Sequence, residues 1–270
     1  MQFILDETRK HCSFREVWVG YLLGAIFLLI SIFQDIQFET RWFIIQQDIY
    51  AYGATLTAFL IAIGLSRLFC YEQERGTAGL IKTTKIGTFQ VWKEKFTFSV
   101  VYCAIVVFLI GGLSLLIKGT QFGFENALSP VSESVYFHSI PLSNLAYCII
   151  QYLLLFLGAL YFAGFVVIVA TITKRTALTI FLTGGTFIAF TGYYYVGRFW
   201  VQGNVLSKVL DFFFRFGFNG FMLQESYSWT SIIGISGDWP QVWKPILFVI
   251  SMIAIEFTIL WLLWRRKERK

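Results

Sequence analysis

The chain has 270 residues, of which 57% are hydrophobic, 19% aromatic and only 14% charged, and its formal net charge is +6. Soluble domains carry about 25% charged residues, so this composition, with a mean hydropathy of +0.66, excludes a water-soluble enzyme domain. The 30 phenylalanines exclude a disordered chain.

What remains is an all-α polytopic membrane protein, a single transmembrane domain over 1–270. A bilayer core about 30 Å thick takes about 20 apolar residues as a helix. The apolar runs here do not alternate with polar residues, which argues against a membrane β-barrel. The N-terminal stretch 1–16 joins Phe3, Ile4 and Leu5 to a charged half and then to Phe14. It is expected to form a short amphipathic helix on the membrane surface. No small-residue cleavage site follows the first apolar run, so that run reads as an uncleaved span.

Six runs are long enough to span: 17–33, 49–66, 97–117, 146–172, 176–196 and 245–264. With both termini in the cytoplasm, 16 of the 22 Lys and Arg residues fall on the cytoplasmic side. This satisfies the positive-inside rule. The basic balance therefore reports topology, and nucleic acid is not an expected partner; the lipid bilayer is. Trp18, Trp42, Trp200, Trp243, Trp261 and Trp264 lie at span ends, where indole rings favour the interface. Ala58 and Ala62, and Ala159 and Ala163, are small residues four apart that allow close helix approach. The four cysteines, Cys12, Cys70, Cys103 and Cys148, offer neither a disulfide framework nor a zinc spacing.

The longest cytoplasmic connection, 67–96, contains YEQERGTAGLIKTTKIGTFQVWKEKF from residue 71. Leu80, Ile81, Ile86, Phe89 and Trp92 have partial helical spacing, and Gly76, Gly79 and Gly87 are natural helix ends. The segment reads as short amphipathic helices under the membrane, or as a solvated loop that only sets topology. The outer segment 197–244 includes VLSKVLDFFFRFGFNGFMLQ at 205–224, too apolar for a free loop. It is expected to dip into the outer leaflet or to cap the bundle.

The 71–96 segment resembles the signature of the permease subunits of type-2 ABC exporters. Glu72 and Glu74 match an acidic pair, Gly76-Thr77 a Gly-Thr step, and Leu80-Ile81 an apolar stretch. Thr83-Thr84 match a turn, and Lys95 the lysine that opens the next span. Lys85 departs from the pattern, which has proline there. The resemblance implies a bacterial cell-membrane exporter in which two permeases, identical or paralogous, form the pathway. Two separate P-loop ATPase subunits bind beneath them and carry the ATP and Mg. It further implies that Glu72, Glu74, Arg75, Gly76, Thr77 and Lys95 lie at or near the ATPase contact.

The chain is not expected to be an enzyme by itself and binds no cofactor or metal in this reading. A P-loop needs a Gly-Lys step, and none occurs in the sequence. His11 and His138 stand in no metal-ligand spacing. Glu256, halfway along the sixth run, is costly in a membrane. It serves the translocation pathway, through a proton or a cationic substrate, or is held protonated inside the bundle by Gln151 or a tyrosine. The expected substrate is an amphipathic peptide, an antibiotic or another hydrophobic compound, because the spans are aromatic-rich and nearly uncharged. Two other functions fit the same sequence: ion-coupled secondary transport through Glu256, and a non-transporting scaffold or companion permease.

Overall fold

The computed structural model describes residues 9, 11, 13–34, 52–77, 79, 87–130, 142–197, 205–223 and 243–268. Among them are eight helices: α1 (Arg15–Gln34), α2 (Ala54–Glu74), α3 (Gly87–Phe122), α4 (Asn144–Thr173), α5 (Thr176–Tyr195), α6 (Val205–Phe216), α7 (Phe218–Leu223) and α8 (Trp243–Glu268). The described residues contain no strand, only an isolated bridge between Pro130 and Ser143. Five helices (α2, α3, α4, α5 and α8) are long and apolar enough to cross a membrane. The chain is a multi-pass membrane protein. The first expected span, 17–33, falls on α1.

Two helix ends differ from the hydropathy reading. The second span was expected to stop at residue 66, but α2 continues to Glu74. The third was expected to start at 97, but α3 begins at Gly87. Residues 71–74 and 87–96 thus extend long helices and do not form separate short ones. The polar residues in these extensions bond to one another, so helix costs them no buried unpaired group. Residues 80–86, which carry Leu80, Ile81 and Thr83-Thr84, lie outside the described residues, as do residues 1–8, Cys12, Trp42, His138, 198–204 and 224–242.

The bundle is organised around α4, which packs on α2, α3, α5, α7 and α8. Lipid supplies no hydrophobic drive between helices, so close approach of small side chains decides the packing. Ala58 and Ala62 of α2 and Ala159 and Ala163 of α4 are all buried in one cluster. Ser143 caps α4 by accepting the Ala146 amide at 3.3 Å. Lys174, at φ 57°, closes α4 as a left-handed cap whose amide reaches Ala170. This two-residue turn sets α5 immediately beside α4. Trp18 is exposed on α1, and near the end of α8 the Arg265 guanidinium lies 4.1 Å from the Trp261 ring centroid. Both are placements suited to a membrane interface.

Part of the apolar segment after α5 closes the bundle. Phe218, Phe221 and Met222 of α7 are buried. The Phe218 ring lies 4.9 Å from that of Phe162 and 5.4 Å from that of Phe165, near the middle of α4. Asn219 donates to the Phe187 carbonyl at 2.9 Å and to the Thr191 hydroxyl at 2.8 Å on α5. Gly158 leaves the space that Met222 fills, since a Cβ there would stand 2.9 Å from Met222 Cγ. The amphipathic α6 keeps Val205, Leu206, Val209 and Phe212 exposed. Within the described part of 197–244, α7 thus packs against α4 and α5, while α6 leaves apolar side chains exposed.

Candidate functional site

Three charged residues of the 71–96 segment, Glu72, Glu74 and Lys95, link α2 to its neighbours α3 and α5. Glu72 is buried in the last turn of α2. Lys95, buried in the first part of α3, pairs with it through Oε2. The same ammonium donates to the Leu68 carbonyl at 3.0 Å and lies 5.8 Å from the Phe69 ring centroid. A buried ion pair is tolerable only when its remaining hydrogen-bonding capacity is also used, and the Leu68 carbonyl supplies part of that.

Glu74 faces the other way. Its Oε2 accepts from Arg67 Nη1 at 2.8 Å, and its Oε1 accepts the backbone amide of Thr176 at 2.6 Å. Thr176 is the first residue of α5, whose own N-cap, Arg175, makes no side-chain cap. A carboxylate from α2 therefore caps α5, at the end where the helix dipole favours negative charge. The Arg67 guanidinium also lies 5.3 Å from the Phe14 ring centroid and 5.4 Å from that of Tyr71. These contacts bring the N-terminal stretch onto the same cluster.

The Gly-Thr step terminates α2. Gly76 has φ +69°, a left-handed conformation in which glycine is strongly favoured. Its amide reaches the Gln73 carbonyl at 3.3 Å, and the Thr77 amide reaches the Glu72 carbonyl at 3.0 Å. That is the Schellman pattern of a helix C-terminus. Arg75 stands between them, exposed, with its guanidinium 5.5 Å from the Tyr71 ring centroid. The six residues singled out in this segment thus divide. Glu72, Lys95 and Glu74 tie α2 to α3 and to α5, Gly76 and Thr77 terminate α2, and Arg75 is exposed beside the Tyr71 ring.

Several contributors escape sequence reasoning. Arg67 and Thr176 complete the Glu74 cluster, and neither stands in a motif. His11 is buried against Phe14, Phe98 and Tyr102, with ring centroids 4.6 Å apart for Tyr102. Both imidazole nitrogens lack hydrogen-bond partners among the described residues, and burial lowers its pKa to about 4. No group of three or more His, Cys, Asp or Glu suited to a metal occurs among the described residues.

Glu256 sits apart from this cluster, on α8 against the middle of α4. It is 7% exposed, and its Oε2 has no hydrogen-bond partner among the described residues. Among the described residues that oxygen makes no bond to Gln151 or to a tyrosine. Gly164 of α4 provides the room: a Cβ there would stand 2.8 Å from the Glu256 carboxyl carbon. A cavity of about 110 Å³ opens beside the carboxyl group. Nothing in the sequence pairs Gly164 with an acid 92 positions later. Comparison with protein-family models, with curated proteins and with solved structures found no match for the chain.

Proposed function

We propose that this chain is the permease subunit of a type-2 ABC exporter in a bacterial cell membrane. It spans the membrane six times with both termini in the cytoplasm. Two copies, or one copy and a paralogue, form the pathway, and two separate P-loop ATPase subunits bind on the cytoplasmic side. The substrate is an amphipathic peptide, an antibiotic or another hydrophobic compound.

The observation that carries this reading is the junction of α2, α3 and α5. Glu72–Lys95 fixes α2 to α3, and Glu74 fixes α2 to α5. A push on the connector beyond Arg75 is then delivered to three spanning helices at once. A loop that only sets topology needs positive charge but no such bonding. The test is ATP-dependent transport in proteoliposomes holding this chain and its ATPase. Arg75→Glu, at an exposed position, should lower transport severalfold while leaving the folded chain intact; unchanged transport would remove this junction from the coupling.

Ion-coupled transport is the second reading, favoured by the buried Glu256 carboxyl. It predicts transport in ATP-free vesicles that a proton gradient drives and Glu256→Gln abolishes.

A further inference from the structure

The cavity beside Glu256 lies between α3, α4 and α8. Phe96 and Ser99 line it from α3, Ala163 and Gly164 from α4, and Glu256 and Phe257 from α8. Its polar side chains are those of Ser99 and Glu256. Ser99 already donates its hydroxyl hydrogen to the Lys95 carbonyl at 2.8 Å, which leaves only lone pairs facing inward. Glu256 Oε2 has no donor among the described residues. The nearby ammonium of Lys95 is committed to Glu72 and Leu68. Tyr161, on α4, lies within electrostatic range of Glu256 and is no cation at ordinary pH.

A carboxyl group with an unpartnered oxygen in an apolar wall is best satisfied by a base that takes its proton and stays as the paired cation. Inorganic cations are poorly served here. Calcium takes 6–8 oxygen ligands and magnesium near-ideal octahedral oxygen geometry, whereas this wall offers one carboxyl and one hydroxyl. An organic ammonium is well served, because the Phe96 and Phe257 rings, in edge contact at 5.1 Å, flank the same space. The volume of about 110 Å³ is somewhat below the ~150 Å³ cavity that accepts benzene, and so suits an amine head with a short apolar stem. Val100 and Phe257, on the cavity wall, are 36% and 42% exposed. A tail would leave between them toward the lipid.

We propose that this cavity binds a small lipophilic amine, with Glu256 as its counter-ion and Phe96 and Phe257 as its aromatic walls. The amine arrives from the bilayer as the neutral base. Its nitrogen lone pair takes the proton of the Glu256 carboxyl: the O–H bond breaks, an N–H bond forms, and an ammonium–carboxylate pair remains. No further reactant is required. Gly164 is the positioning residue, since any side chain there occupies the space of the carboxyl group. As a substrate class this rests on the exporter reading; as a binding site it does not.

The test uses the purified full-length chain in detergent, without ATPase, so failure of the exporter reading leaves it intact. Dicyclohexylcarbodiimide modifies lipid-accessible carboxyl groups, and mass spectrometry reads its attachment to Glu256. Millimolar N,N-dimethylbenzylamine, a tertiary amine that forms no amide with the activated carboxyl, should cut that labelling at least fivefold, and neutral benzyl alcohol should not. The same amine should also raise the thermal midpoint of the wild type and not that of Glu256→Gln. Absent labelling, absent protection, or equal protection by the alcohol would each overturn the proposal. The labelling arm needs no variant, so it stands even where Glu256→Gln or Gly164→Ala fails to fold.

Discussion

Glu74 caps a helix that begins 102 residues later: its carboxylate takes the Thr176 amide at 2.6 Å while holding Arg67 at 2.8 Å. The first turn of α5 has no cap of its own from Arg175. The cap thus comes from the end of α2, which the Glu74 carboxylate ties to the start of α5.

Removing that cap should fray α5. Loss of a capping acceptor costs about 1–2 kcal/mol. Glu74→Ala should speed hydrogen exchange at the amides of 176–179 severalfold, and Glu74→Gln, which keeps an acceptor oxygen, should restore much of the protection. Unaltered exchange in Glu74→Ala would show that the contact does not hold the helix.

The Glu72–Lys95 pair should behave as a buried pair. Lys95→Met leaves the Glu72 carboxylate alone in a buried setting, which costs about 3–5 kcal/mol. The double variant Glu72→Leu with Lys95→Met removes both charges and should regain most of the lost thermal midpoint. Additive losses in that cycle would mean the two side chains are independent.

His11 makes the docking of the N-terminal stretch sensitive to acid. In the folded chain it stays neutral down to about pH 4, whereas a solvated imidazole titrates near 6.5. The undocked state therefore binds more protons between these values, and stability falls as pH drops from about 6.5 to about 4. A melting-temperature profile should slope downward through that window in the wild type and flatten in His11→Phe. Equal slopes would assign the acid sensitivity to other groups.

Gly64 is fixed by packing. A Cβ there would stand 2.6 Å from Tyr102 Cζ, and the Tyr102 hydroxyl is held by the Leu60 carbonyl at 2.9 Å. Overpacking of this kind costs about 1–3 kcal/mol. Gly64→Ala should lower the thermal midpoint, and an unchanged midpoint would show that α2 and α3 separate freely.

The later spans are legible because a bilayer-length apolar run has essentially one solution. The runs 146–172 and 176–196 coincide closely with Asn144–Thr173 and Thr176–Tyr195. The facing ends of α2 and α3 are not legible from hydropathy. Arg67, Glu72 and Lys95 resemble loop residues in composition, yet each is bonded in a helix extension. A pairing across 23 positions leaves no periodic trace. Glu256 is visible as a lone acid in an apolar run, but the glycine that makes room for it lies on another helix. Gly76 is legible as a helix end, and its left-handed φ explains why a glycine stands there.

Purification of the tagged chain in mild detergent, with mass spectrometry of the proteins retained, tests the exporter reading most directly. The account predicts a stoichiometric P-loop ATPase that Arg75→Glu releases while the thermal midpoint of the chain is unchanged. A chain that purifies alone and still transports in ATP-free vesicles would contradict it.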